Sequence, residues 1–475
     1  MPIRDSPAVL ARARLTSKRD EIERKFMNKQ TSWRIKNFVG FAAIAVAASI
    51  SAFAQTSSAS LEGRWSATMT QKGGTVIPFR LDISGSGDHV VGTLHNGGDD
   101  IETTTSASIQ NGVVKLNFEH YLTNIEATVK DGELDGKIVV TRRSAINITP
   151  GKLSEAPGDT FTAFHAKRYV APTAEAVAKV PNIDGAWEMP HDSSKGEKSW
   201  RLIVQQKGVE IETTVLRVDG DTGGLTGSWQ DGKFVASHFD GSRPGLIEIT
   251  PQADGTLSVN LRAEPRNEIL TAYRPEVARA KGLPEPANYL THTTVRNPDE
   301  VFAYSFRDVD GKVESNDDPK FKGKVVLAIV TGTWCPNCHD EAKYLVQLYK
   351  QYHAKGVEIV ALDFEEADQQ ESLTRVKAFI KQYGVPYTYL IAGTPDEMWD
   401  KVPQAVNLNT WPATLFIGRD GKVKATYSGF ASAASGVYGK ELKDDFTSII
   451  DRLLVGQSVQ SSASLARPSA DVASR

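Results

Sequence analysis

Two cysteines, Cys335 and Cys338, are the whole thiol content of this 475-residue chain, and both lie in Trp334-Cys-Pro-Asn-Cys338. A dithiol that exchanges disulfides needs one thiolate free to attack and a second thiol close enough to resolve the mixed disulfide. A spacing of three residues on a helix supplies that. With Cys335 at the N-terminal end of a helix, its thiolate would face unpaired amides and the positive end of the helix dipole, which lowers its pKa. Cys335 is therefore the expected nucleophile and Cys338, one turn further on the same face, the resolving thiol of a redox-active disulfide. Pro336 suits the first helical turn, where no amide bond is lost. Trp334 is expected to cover the rim of the site and to touch a substrate. Glu341 is a candidate proton relay to the buried sulfur. His339 is expected at the surface of the first turn.

The elements that must hold these residues are legible on either side. Val325-Val-Leu-Ala-Ile-Val330 is a continuous apolar run, as a strand buried on both faces requires. Ala342, Leu345, Val346, Tyr349 and Tyr352 then recur at helical spacing. A hairpin around Asp310-Gly311 precedes them. Strands at Val357 to Leu362, Tyr387 to Ile391 and Ala413 to Ile417 follow, interleaved with helices from about Leu373 to Tyr383, near Asp396 to Val402 and from about Lys440 to Leu454. Helices alternating with strands imply an α/β domain around a central sheet.

The rest of the chain has another character. From Leu61 to about Arg274 short alternating strands are punctuated by Asn96-Gly97, Asn111-Gly112, Asp131-Gly132, Asp135-Gly136, Asp219-Gly220, Asp231-Gly232, Asp240-Gly241 and Asp254-Gly255. Such pairs tolerate the positive φ of tight hairpins, so this half reads as antiparallel β. It also reads as duplicated, with Leu61-Glu-Gly-Arg-Trp65 matching Ile183-Asp-Gly-Ala-Trp187, Phe79-Arg-Leu matching Trp200-Arg-Leu, and Phe161-Thr-Ala-Phe164 matching Leu270-Thr-Ala-Tyr273. The expected layout is multidomain, two tandem all-β domains followed by a thioredoxin-like α/β domain. Its bounds are an extension and signal peptide over 1–54, β-domains over 55–172 and 182–280, the α/β domain over 288–456, and a disordered Ser/Ala-rich tail over 457–475. Linkers are expected at Val170 to Pro181 and Pro275 to Pro286. Arg34 and Lys36 before the apolar run Phe38 to Ala48, then Ala52-Phe-Ala54, predict export to the periplasm with cleavage after about Ala54, an uncleaved anchor being the alternative. Met27 is a second candidate start.

These residues resemble the TlpA-like branch of the thioredoxin superfamily. The resemblance covers roughly 290–455 and rests on the hairpin at Asp310-Gly311-Lys, Gly323-Lys-Val-Val-Leu, Trp334-Cys-Pro-Asn-Cys338, an inserted helix near Met398, and Trp411-Pro412-Ala-Thr-Leu-Phe-Ile-Gly-Arg-Asp-Gly-Lys422. It implies that Cys335 is the nucleophile, that Pro412 is a cis-proline facing the cysteines and touching substrate, and that Glu341 is the acidic residue of the active-site helix. Trp411, preceding Pro412, would then pair with an incoming peptide. Asn337 stands where the family usually has a second proline, and Ile329 where thioredoxin has its buried aspartate. The resemblance further implies a reductase of protein disulfides, recharged in an oxidising compartment by a membrane electron donor.

The net charge of −3 with interspersed signs selects no nucleic acid and no anionic membrane. No organic cofactor and no metal is called for, because a structural zinc site wants four ligands. Other readings exist, the blandest being a static disulfide, although closing so short a loop would stabilise little. Cys335-x-x-Cys338-His339 is also the attachment signature of c-type haem. The β-domains could bind a ligand or client with the redox domain as accessory, Trp65, Trp187, Trp200 and Trp229 either lining that site or packing the cores.

Overall fold

The computed structural model describes residues 60–86, 89–97, 100–142, 158–171, 180–242, 244–263 and 266–458. The expected signal peptide, the linker over 172–179 and the tail from 459 onward lie outside them. Within this set the protein is mostly β-sheet, with a thioredoxin-like C-terminal part. No helix among the described residues is long and apolar enough to cross a membrane.

Alternation builds the first sheet. In the strand Gly63–Thr70 the side chains of Trp65, Ala67 and Met69 are buried while Ser66 and Thr70 are exposed, and Ile77, Phe79, Leu81 and Ile83 repeat the pattern in Val76–Ser84. Nine antiparallel strands result, and the last, Gly158–Arg168, returns to pair with the first. The second sheet runs through eight antiparallel strands in chain order, from Gly185–Pro190 to Arg266–Ala272. Glu188 and Tyr273 then exchange backbone hydrogen bonds of 2.8 and 2.9 Å, closing the sheet into a barrel. Trp65 lies in the core of the first sheet, Trp187 and Trp200 in that of the second, and Trp229 packs against the latter.

The two sheets share a local device at matching tryptophans. Trp65 and Trp187 each donate their indole N–H to the carbonyl four residues back, of Leu61 at 3.1 Å and Ile183 at 2.9 Å. Arg168 lies over the Trp65 ring at 4.0 Å and Arg274 over Trp187 at 3.8 Å. This device corrects one detail of the repeat. Arg168 follows Phe164 by four positions but Arg274 follows Tyr273 by one, so the match between Phe161–Phe164 and Leu270–Tyr273 is out of register.

Two other local expectations also change. Asp135-Gly136 is no turn but lies inside the strand Glu133–Arg142, where a Cβ on Gly136 would come within 1.9 Å of the Glu126 carbonyl. Pro275–Ala280, expected as linker, is a helix with Pro275 at its first turn, and Arg279 is paired with Glu188.

The C-terminal sheet has seven strands in the order Val313–Ser315, Ser305–Asp308, Thr388–Gly393, Val357–Phe364, Val325–Thr331, Ala413–Ile417 and Val423–Ser428. Every residue of Val325–Thr331 is buried. Val325, Leu327 and Ile329 face the helices Pro336–Tyr352, Thr374–Tyr383 and Val437–Leu454, while Val326, Ala328 and Val330 face a second core containing Phe302, Tyr304 and Leu408. Ile203 and Leu216 of the barrel join the first of these cores, so the β half and the α/β half share apolar burial.

Arg168→Ala and Arg274→Ala should each lower stability by about 1–2 kcal/mol, through loss of the ring contact and of hydrogen bonds to the Glu62 and Ala186 carbonyls. Urea unfolding of the two variants, giving closely similar losses, would confirm that the device is equivalent in both sheets.

Candidate functional site

The strand Val325–Thr331 delivers the chain to a tight connection in which the Cys335 amide bonds the Gly332 carbonyl at 3.0 Å. Cys335 is then the cap of the helix Pro336–Tyr352, in extended conformation, with its carbonyl accepting from Cys338 at 3.0 Å and His339 at 3.3 Å. The helix starts there because Pro336 cannot extend it backwards and is pre-set for its first turn. Both sulfurs are thiols.

Across the site, the Trp411-Pro412 peptide bond is cis, and the Cys335 thiol donates to the Trp411 carbonyl at 3.5 Å. Trp334 and Trp411 meet edge to face at 5.1 Å, and the Trp334 indole donates to the Phe364 carbonyl at 2.9 Å. Cys335, Cys338, Trp334 and Trp411 are only 3, 1, 4 and 5 % exposed. The structure therefore brings Trp334, Cys335, Cys338, Trp411 and Pro412 together, but it buries the two tryptophans expected at a substrate-facing rim.

Glu341 lies one turn further into the protein. It is buried, accepts a hydrogen bond of 2.7 Å from the Thr414 hydroxyl, and shares a small cavity with Cys338, Thr331, Tyr387 and Tyr389. Burial, with the Cys335 sulfur nearby, pushes its carboxyl up to about 8 despite the Thr414 bond. Burial likewise holds the Cys338 thiol well above its ordinary range, reinforced by Cys335 and Glu341 and opposed by Thr331. Near neutral pH the innermost groups are thus protonated.

His339 departs from its expected surface position. It is fully buried, with Nε2 donating to the Thr333 carbonyl at 2.7 Å and Nδ1 accepting from the Tyr383 hydroxyl at 2.8 Å. The ring stacks on Tyr121 at 4.0 Å. Burial and the nearby His120 push it down to about 3, so it is neutral. Tyr121 comes from a turn between two strands of the first sheet and Tyr383 from a later helix, so the local sequence gives no sign of this burial.

Sequence reasoning also missed the charges beside the helix. Lys343 bridges Glu102 at 3.0 Å and Asp340 at 3.3 Å, and Glu102 also contacts His120 at 2.9 Å and the Tyr383 hydroxyl at 3.2 Å. Burial alone would raise the Glu102 carboxyl, but Lys343 and His120 outweigh it and hold it at about 2. Asn337, between the cysteines, donates its side-chain amide to the Asp219 carbonyl at 2.7 Å. Among the described residues no group of three or more His, Cys, Asp or Glu side chains is placed to hold a metal.

Comparison with known proteins bears on the C-terminal part of the chain. The family model described as Redoxin matches residues 298–439. The thiol-disulfide oxidoreductase ResA of Bacillus thuringiensis (strain Al Hakam) is 37 % identical over 117 residues, 24 % of this chain and 60 % of the relative. The ResA of Geobacillus thermodenitrificans (strain NG80-2) is 30 % identical over 148 residues, 30 % of this chain and 76 % of the relative. The crystal structure of a thiol:disulfide interchange protein, thioredoxin family protein from Chlorobium tepidum TLS is 25 % identical, covering 34 % of this chain and 99 % of that one, with a TM-score of 0.26. The chain thus spans about 60 % of the length of the first curated relatives it matches.

Glu341→Gln should change how stability depends on pH. Because the folded carboxyl titrates near 8 and the unfolded one near its ordinary 4.5, the folded state binds the extra proton between those values, and wild-type stability falls as pH rises through that window. The Gln variant lacks this loss. Its advantage in urea unfolding should grow from pH 5 to pH 9 by a few kcal/mol, at about 1.4 kcal/mol per pKa unit.

Proposed function

Since the chain belongs, through its C-terminal part, to the redoxin family and its thiol-disulfide oxidoreductases, we propose that it is a periplasmic reductase of protein disulfides working through Cys335-Pro-Asn-Cys338. The observation that carries this reading is Cys335 at a helix cap, its thiol aimed at the carbonyl before cis Pro412, with Cys338 one turn inside. In the proposed layout a signal peptide, two tandem β-domains, the thioredoxin-like domain and a disordered tail follow one another.

The Cys335 thiolate attacks one sulfur of a client disulfide, forming a mixed disulfide and expelling the other sulfur as a thiolate. Cys338 then gives up its proton and attacks the Cys335 sulfur, so that the client leaves with both sulfurs reduced and the protein carries the disulfide. Glu341 suits the proton movement. Its carboxyl, at about 8 and in the same cavity as Cys338, is protonated near neutral pH but close enough to its titration to release and retake a proton, which is what a relay needs. Pro412 and Trp411 would orient the client backbone against Cys335. A membrane electron donor would restore the dithiol, and the step itself uses no metal or organic cofactor.

The c-type haem reading has less support, because an axial ligand needs a free imidazole nitrogen and both His339 nitrogens are hydrogen-bonded inside the protein. The tryptophans of the β-sheets pack in their cores, which favours the packing role over a ligand-lined site.

Cys338→Ser should leave Cys335 trapped in mixed disulfides with clients, visible as adducts on non-reducing gels and removed by dithiothreitol. Cys335→Ser should abolish reduction of insulin at little cost in stability, since so short a loop constrains the unfolded chain weakly. Failure to trap any adduct, with a dithiol potential outside the exchange range, overturns the assignment.

A further inference from the structure

A nucleophilic sulfur must be approached in line by its substrate, and here Cys335 is almost fully buried. The turn Arg217–Asp221 of the barrel, closed by hydrogen bonds of 3.0 and 2.9 Å between Arg217 and Gly220, is bonded to the first turn of the cysteine-bearing helix. Its Asp219 carbonyl accepts from Asn337 at 2.7 Å, so the turn is tied to the residue between the two cysteines. Gly220 forms a parallel β-bridge with Phe430, and the Asp221 amide bonds the Phe430 carbonyl at 3.3 Å. Gly429, next to Phe430, donates its amide to the Pro412 carbonyl at 2.8 Å. The turn thus lies along one backbone strip running from Phe430 to cis Pro412.

The contact is built into the sequence on both sides. A Cβ on Gly220 would come within 2.3 Å of the Phe430 carbonyl, and one on Gly429 within 2.3 Å of the Asp219 carbonyl carbon. Only two glycines let the backbones approach so closely. The Asp221 carboxyl then pins the turn, accepting from the Ser432 amide at 2.7 Å, the Ser432 hydroxyl at 2.8 Å and the Ser435 hydroxyl at 2.5 Å. Gln205 adds a bond of 3.2 Å to the Ala434 carbonyl.

We propose that the Arg217–Asp221 turn is an internal stand-in for a client strand, a gate that closes Cys335 to protein disulfides until the turn lifts. This rests on the reading of the dithiol as an exchange site. Main-chain pairing with a sheet edge is how an extended peptide is held, and the turn offers that pairing from within the same chain. Reactivity toward a large client is then scaled by the fraction of molecules in which the turn is raised.

The test uses the full chain in reduced form and compares wild type, Asp221→Ala and the double variant Ser432→Ala/Ser435→Ala, which weakens the same pin from the opposite side. Three quantities are read: the alkylation rate of Cys335 by iodoacetamide, the rate of insulin reduction, and the dithiol potential. Opening the gate should raise alkylation and insulin reduction together by about tenfold in each variant at unchanged potential. Circular dichroism identifies a variant that fails to fold, and the other variant then decides. Equal alkylation rates in folded wild type and variant overturn the gate, as does faster alkylation with no faster insulin reduction. If no form reduces insulin or a small aromatic disulfide although Cys335 is alkylated, the exchange reading itself fails.

Discussion

Dryness around the dithiol is the constraint on which the rest of the structure depends. Exchange chemistry needs a charged sulfur, yet the groups behind Cys335 are all driven toward neutrality by burial: Cys338 upward, Glu341 up to about 8, His339 down to about 3. Cys335 instead sits at the helix cap, where the positive end of the helix dipole favours negative charge. In the proposed mechanism the division of labour between two chemically identical side chains would follow from one helical turn of depth. The strand buried on both faces, the Trp334–Trp411 pair and the packed helix all serve to keep that gradient steep.

The β half takes part in this as more than an appendage. Glu102 comes from the first sheet and His120 from a turn between two of its strands; Glu102, itself bonded to His120, pairs with Lys343 of the helix Pro336–Tyr352 and keeps that half-buried lysine charged. Removing the sheets would leave Lys343, Asp340 and the imidazole of His339 to water, and would erase the desolvation that sets the protonation of the helix. The chemistry at the first turn is thus conditioned by residues more than two hundred positions earlier in the chain.

What the sequence disclosed and what it hid divide along the same physical line. Signals that are local were legible. The apolar run at Val325 fits a strand with no wet face, Ala413–Ile417 appears at its expected bounds, and the Asn-Gly or Asp-Gly pairs at Asn111, Asp131 and Asp231 take positive φ at both residues. Signals that depend on distant partners were not. His339 reads as a surface residue because its helix neighbours are polar, and it is buried by rings brought from elsewhere, Tyr121, Phe379 and Tyr383 among them. Asp135-Gly136 carries turn chemistry, but there the glycine serves close approach inside a strand. Asp219-Gly220 is the sharpest case: it reads as an ordinary turn, and it is one, but its other side is written in Asn337, Gly429 and Ser432.

The energetics of a gate at this turn also say which partners it would favour. Lifting Arg217–Asp221 breaks the Asn337 bond, the Phe430 bridge and the bonds to Asp221, and leaves buried donors and acceptors without partners, which costs more than the bonds contribute net when made. A small disulfide has no backbone with which to satisfy the Phe430 strip, so it meets the full cost of opening. An extended polypeptide can replace the bridge with its own main chain and offset much of that cost. Closure by the barrel would then select for unfolded or locally frayed clients over compact ones, with no side-chain recognition at all.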